Sequence, residues 1–178
     1  EVLLALSLTM AAAGVAVPAM LEINRSLRLR AAASFAAGYL QQARLEAIRR
    51  SMNVGVRFRE SGADWLIAMF GDTNGNGLRT AEILSGVDVL LDAELVFSAR
   101  APSVRIARVP GVPDVNGAQG GDAVRFGPGD IASFAADGSA SSGSLYLTDG
   151  RAQIAVTVTP ATGRVRVRQW DRGLERWR

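Results

Sequence analysis

Residues 72–77 read Asp-Thr-Asn-Gly-Asn-Gly. Asp72, Asn74 and Asn76 stand at the first, third and fifth places of a calcium-loop pattern, and Gly77 supplies its sharp turn. That pattern asks for a bidentate glutamate at the twelfth place. Ile83 stands there, and Glu82 is one residue short. Calcium takes about six to eight oxygens, so the stretch is expected to be an Asn/Gly turn without metal, Asp72, Asn74 and Asn76 being its candidate ligands. A second constellation is basic. Residues 151–178 carry seven arginines against Asp171 and Glu175, a net +5, whereas residues 1–150 carry 13 basic and 15 acidic residues. Arg164, Arg166 and Arg168 alternate along one strand face, and Arg172, Arg176 and Arg178 follow, interleaved with Trp170 and Trp177. Arginines with aromatics make contacts to a phosphate backbone and stack on bases; the alternative is a solvated or subunit-facing surface. Val165 and Val167 face the other way, so changing them is expected to damage folding. The third feature is Glu1, a carboxylate at the head of an apolar run. Beside a membrane helix it is costly unless paired; otherwise it is a helix-start carboxylate favoured by the dipole.

The absent residue types exclude much other chemistry. There is no cysteine and no histidine, and all 20 basic residues are arginine. Disulfides, thiolate nucleophiles, Cys/His zinc sites, an imidazole base and a Schiff-base lysine are all ruled out. No spacing of carboxylates suggests a converging acid/base pair. The chain is therefore expected not to be an enzyme, and to use no cofactor and no small-molecule substrate. With 48% hydrophobic and 21% charged residues, its 178 residues suit an ordered domain with an appendage.

The appendage comes first. Residues 2–21 (VLLALSLTMAAAGVAVPAML) carry no charge over 20 residues, the length of a membrane-spanning helix. A secretory signal peptide would carry a basic leading region, whereas this run opens on Glu1. Residues 22–50 continue with strong helix formers and no proline. Leu29, Ala33, Ala36, Leu40, Ala43 and Ala47 recur at steps of three and four. One helix is thus expected over residues 1–52, roughly 75 Å long, apolar all round over 2–21 and amphipathic after that. Pro18 lacks an N–H and should bend or loosen it. Arg25, Arg28 and Arg30 follow the apolar run. By the positive-inside rule alone they place the downstream part in the cytoplasm, an inference that a basic leader upstream of Glu1 would oppose.

Residues 53–178 read as a β-rich globular domain. Val54, Val56 and Phe58 alternate with Gly55, Arg57 and Arg59; Trp65 to Phe70 is a more buried strand. Further strands are expected at 95–97, 104–109, 124–126, 131–134 and 145–147. Residues 154–158 and 165–168 should form a hairpin around Thr159-Pro-Ala-Thr-Gly163. Residues 110–122 are a loop by composition, and Asp137-Gly138, Ser141-Ser-Gly143 and Asp149-Gly150 are turn chemistry. The expected fold class is α+β, a long helix packed on antiparallel sheet.

The opening Glu1-Val-Leu-Leu-Ala-Leu, with Val15-Ala-Val-Pro-Ala-Met around Pro18, resembles the mature helix of type IV pilin-like proteins. The continuation from Leu29-Arg-Ala-Ala-Ala to Leu40-Gln-Gln-Ala-Arg-Leu-Glu-Ala-Ile-Arg-Arg resembles the GspH/FimT branch. So do Phe70-Gly-Asp-Thr-Asn-Gly-Asn-Gly, Phe134-Ala-Ala-Asp-Gly and Val158-Thr-Pro-Ala-Thr-Gly-Arg-Val-Arg-Val. That branch holds the minor pseudopilin H of type II secretion and minor type IV pilins. The resemblance implies a structural subunit at or near the tip of a pseudopilus or pilus, taking part in protein secretion. It implies an inner-membrane helix, a periplasmic domain, and a processed, methylated N-terminus upstream of Glu1. It also implies assembly with other pilins or pseudopilins through the helix, with Glu1 pairing with a neighbouring subunit's amine, and contact with a secreted substrate or the secretin. Gly163-Arg-Val-Arg166 matches a terminal Gly-Arg-x-Arg element through which some FimT-like minor pilins are reported to bind DNA, so DNA uptake through the basic strand is the alternative function.

Overall fold

A computed structural model describes residues 2–118 and 121–178, with side chains in the first helix described from Met20 onward. Helix α1 runs Val2–Arg50. It is followed by β1 (Val54–Ser61), β2 (Asp64–Gly71), α2 (Thr80–Ser85), β3 (Val89–Leu90), β4 (Leu95–Val96), α3 (Phe97–Arg100), β5 (Arg105–Ile106) and β6 (Val124–Arg125). The chain then forms β7 (Ile131–Phe134), β8 (Gly143–Thr148), β9 (Gln153–Thr159), β10 (Arg164–Asp171) and β11 (Arg176–Trp177).

The helix follows from its own residues: a long proline-free stretch, an apolar stripe at three and four residue steps, and an end at Ser51, which takes the left-handed conformation at φ 52°. Arg49 and Arg50 in the last turn complement the dipole and both reach Glu46, at 2.6 and 2.7 Å. The six stripe positions expected from sequence, Leu29, Ala33, Ala36, Leu40, Ala43 and Ala47, are each 3% exposed or less.

Among the described residues the strands form two antiparallel sheets. One runs β3-β2-β1-β7, with β4 also on β2; the other runs β11-β10-β9-β8-β5, with β6 also on β8. The α1 stripe lies across both, touching β1 and β7 of the first and β8, β9 and β10 of the second. The core between them holds Val54, Val56, Phe58, Phe134, Leu145, Leu147, Ile154 and Val156, the alternate positions of their strands. Phe126 closes it by stacking on Phe58 at 5.6 Å. The fold is α+β, with the helix as one layer and the two sheets as the other.

Local pattern misjudged several elements. Residues 95–97 are not one strand: Leu95–Val96 pairs with β2, and Phe97 opens α3, because the backbone N–H and hydroxyl of Ser98 both donate to Asp64 and turn the chain. Residues 104–109 pair only at Arg105–Ile106. Beyond that, the buried Gln153 side chain takes the place of a strand partner, accepting from Val109 N at 2.5 Å and donating to Ala107 O at 3.0 Å, and Pro110 has no N–H to continue a ladder. Val167 is 46% exposed, against the expectation that it is buried like Val165. It lies on the edge side of its sheet, where β11 covers β10 only at Trp170 and Asp171. Its replacement is accordingly expected to cost little. The short α2, β3 and β11 were not legible from sequence.

Candidate functional site

Asp72 follows directly on β2 and is 3% exposed. Its Oδ1 accepts from Gly75 N at 2.8 Å, and its Oδ2 accepts from Gly77 N and Asn53 Nδ2, each at 2.8 Å. Burial alone would raise this carboxyl. The Asn53 amide and the N–H groups of Gly77, Gly75 and Asn74 outweigh it and hold Asp72 below the ordinary aspartate value. Asn74 Oδ1 accepts from Asn76 N, and Asn76 Nδ2 donates to Glu82 Oε1 at 2.8 Å. Asp72 thus organises the loop through its donors, and Asn74 and Asn76 brace it. Among the described residues no three acidic side chains converge as metal ligands.

Sequence reading missed Asp88, which lies behind this loop and is 2% exposed. Its Oδ2 accepts from Arg79 N at 3.2 Å, and its Oδ1 has no partner. Burial pushes its carboxyl above the ordinary range against that N–H, and the charges of Glu82 and Asp72 push the same way. A raised folded pKa means that ionised Asp88 weakens the fold at neutral pH. This cost disappears as pH falls below the unfolded value of about 4, where both states hold the proton. Asp88→Asn is therefore expected to raise stability at pH 7 relative to wild type, with the gain shrinking toward pH 3.5. Urea unfolding of both proteins at the two pH values checks it; an Asn variant no more stable at pH 7 would refute it.

The basic constellation is divided by the fold. Arg164, Arg166 and Arg168 pair with Thr159, Thr157 and Ala155 and share the face of β10 turned away from the core. Arg164 and Arg166 are exposed and Arg168 is half-buried. A groove of about 360 Å³ beside them is lined by Asn116, Arg125, Ser144, Thr157 and Arg168. Arg125, from about 40 positions upstream, carries no sequence signal linking it to the tail; it pairs with the buried Asp114. The later arginines turn elsewhere. Arg172 Nη2 donates to Arg151 O at 2.9 Å, Arg178 pairs with Asp171 at 2.7 Å, and Arg176 stands opposite Asp171 in the β10–β11 register. The tryptophans have structural partners. Trp177 meets Trp170 edge-on at 5.5 Å, tilts onto Tyr146 at 6.0 Å, and donates from Nε1 to Pro113 O. With the Arg108 guanidinium 4.6 Å over the Tyr146 ring, they pin the loop after β5 onto the outer face of the sheet.

Of the assembly candidates, Glu1 lies outside the described residues, and Pro18 lies in α1 with its side chain outside them. The apolar run 2–21 lies outside the described side chains except for Met20 and Leu21. Among the described residues no helix is long and apolar enough to cross a membrane.

A long N-terminal helix that lays one face over antiparallel sheet, its described residues 20–28 largely exposed ahead of that contact, is the pilin-like arrangement. The family model of type II transport protein GspH matches residues 31–163, three quarters of the chain, and the chain belongs to that family, the pseudopilins of type II secretion. The match takes in the stripe of α1 from Ala32 onward and strands β1 to β9, and stops one residue before Arg164, where β10 begins. Comparison with curated proteins and with solved structures gave no match.

Proposed function

We propose that this chain is a minor pseudopilin, a non-catalytic structural subunit at or near the tip of a short periplasmic filament. In this reading residues 1–52 form the assembly helix, with 2–21 in the inner membrane, and residues 53–178 form the periplasmic domain. Family membership supports the general role. The observation that carries the rest is the change in α1 at Leu29. From there on it buries a stripe against its own sheets, whereas Met20, Leu21, Ile23 and Leu27 are 55–67% exposed. From Met20 to Arg28 the described side chains of the helix are largely exposed, so this apolar surface needs lipid or neighbouring helices. Other pseudopilins are the partners this implies, with the secretin or a secreted substrate at the tip.

Glu1 and Pro18 are the proposed assembly residues. Glu1→Leu suits lipid at least as well as glutamate, so it is expected to leave the protein in the membrane while its co-purification with other filament subunits falls several-fold. Undiminished co-purification would leave Glu1 an ordinary helix-start residue.

A second reading, DNA contact, is favoured by one observation: Arg164, Arg166 and Arg168 share one outward face. Phosphate contacts of this kind are nearly sequence-independent and steeply salt-sensitive. Replacing the three together by alanine should lower the salt slope of binding by up to about three units, at roughly 0.9 per contact. DNA titration at several salt concentrations reads this out; equal slopes for variant and wild type exclude the surface.

A further inference from the structure

The end of the globular domain nearest the apolar run carries a basic groove that neither the secretion role nor the tail arginines account for. Its volume is about 550 Å³, and Arg25 and Arg28 of α1, Ser103, and Asp149, Gly150 and Arg151 of the β8–β9 turn line it. Arg25, Arg28 and Arg151 are all exposed. Among the described residues neither the Arg25 nor the Arg28 guanidinium has a hydrogen-bond or ion-pair partner, and the Arg151 guanidinium makes only a loose 3.7 Å contact with Glu22. The one carboxylate in the lining makes no ion pair with them: Asp149 Oδ1 accepts from Arg151 N and Ala152 N and closes its own turn, and its single charge faces three guanidinium groups. Arg172 extends the rim, its guanidinium on the Arg151 carbonyl.

We propose that this groove is a binding site for the phosphate headgroups of anionic phospholipids. The proposal rests on the reading of residues 2–21 as the membrane span. Arg25 and Arg28 lie four and seven residues beyond Leu21, about 6 and 10 Å along a helix. The polar layer of a bilayer is roughly 5–8 Å deep on each side, so Arg25 stands at headgroup level, and the long Arg28 side chain, leaning toward the helix N-terminus, reaches back to it. Their neighbours on α1, Leu21, Ile23 and Leu27, are exposed apolar side chains suited to the acyl boundary beneath. Guanidinium groups bind phosphate through paired hydrogen bonds as well as charge. Arg151 completes the site from a turn more than 100 positions away, so the globular domain itself, and not the helix alone, is held against the membrane. Arg164 is no part of this: it lies level with Gln41 and Leu45, about 25 Å further along the helix, beyond the screening length at physiological salt.

The test uses the full chain. Flotation with phosphatidylcholine vesicles reads the anchor alone; a chain that stays at the bottom overturns the membrane-span reading. In neutral detergent, short-chain phosphatidylglycerol and phosphatidylcholine are then titrated and bound lipid is counted by native mass spectrometry. Phosphatidylglycerol is expected to bind at least tenfold more tightly. Each arginine at a membrane surface is worth roughly fivefold in affinity, so Arg25→Gln with Arg28→Gln and Arg151→Gln should lose about a hundredfold, and Arg151→Gln alone about fivefold. Arg164→Gln with Arg166→Gln should bind as wild type does. Equal affinity for the two lipids, a folded triple variant that binds as wild type does, or displacement by millimolar inorganic phosphate each overturns the headgroup assignment while leaving the anchor standing.

Discussion

Ala43→Leu is expected to destabilise the protein by about 3 kcal/mol, the upper part of the range for overpacking a filled core. The reason lies in how α1 meets the sheets. Its buried stripe is mostly alanine: Ala32, Ala33, Ala36, Ala43 and Ala47 are all 3% exposed or less, with Leu29 and Leu40 as the larger side chains. Small residues bring the helix backbone close to the strands, and a leucine in that stripe has no room to turn into. The helix must lift, and contacts along both sheets loosen with it. A loss of this size in a domain of this length lowers the thermal midpoint by roughly 10 °C. Gln42→Leu, one residue away on the exposed side, should change stability by less than about 0.5 kcal/mol. Thermal unfolding followed by circular dichroism compares the two. Equal midpoints would mean that the alanine stripe sits over a looser contact than its burial implies.

Gly143→Ala should cost a similar amount, about 3 kcal/mol, for a different reason. Gly143 opens β8 and lies under Phe126. A Cβ there would stand 2.1 Å from Phe126 Cδ1 and 2.5 Å from Arg125 O. The ring cannot move away freely because it stacks on Phe58 inside the core, and the carbonyl belongs to β6, which pairs with β8 through Arg125 and Ser144. The substitution must therefore displace a strand. Gly38→Ala is the contrast: it is exposed in mid-helix with nothing within 4 Å of the added Cβ, and alanine there should stabilise by up to about 1 kcal/mol. Denaturant unfolding of the two variants is expected to give shifts of opposite sign. A Gly143→Ala protein as stable as wild type would show that β6 shifts without cost.

The hairpin of β9 and β10 shows how far local chemistry reaches. Strict alternation marked both strands, and Gly163 was expected to supply positive φ; it does so at 57°. Its second constraint was invisible locally. A Cβ on Gly163 would lie 2.4 Å from Gly138 O and 2.9 Å from Arg44 Nε, where the Arg44 side chain donates to Gly138 O at 3.2 Å. Three segments distant in sequence thus meet at one glycine. Val167 marks the opposite limit. Alternation assigns it a face, but burial depends on what covers that face, and little does.

By itself the sequence determined what is periodic or forbidden: the stripe on α1 from its three and four residue steps, the long strands from alternation, the turns from Asp-Gly and Asn-Gly pairs, and the absence of thiol and imidazole chemistry. These depend on neighbours a few bonds away, whose geometry the backbone sets. Tertiary structure decided which of those faces are covered and which charges come together. It put Arg125 beside Arg168, turned Arg172 and Arg178 away from the strand they follow, buried Asp88 behind the Asp72 loop, and carried Arg151 to the start of the helix beside Arg25 and Arg28. Contacts of that kind join residues tens of positions apart. They arise from the closing of two sheets under one helix, where burying the shared apolar face fixes the position of every polar group at its rim.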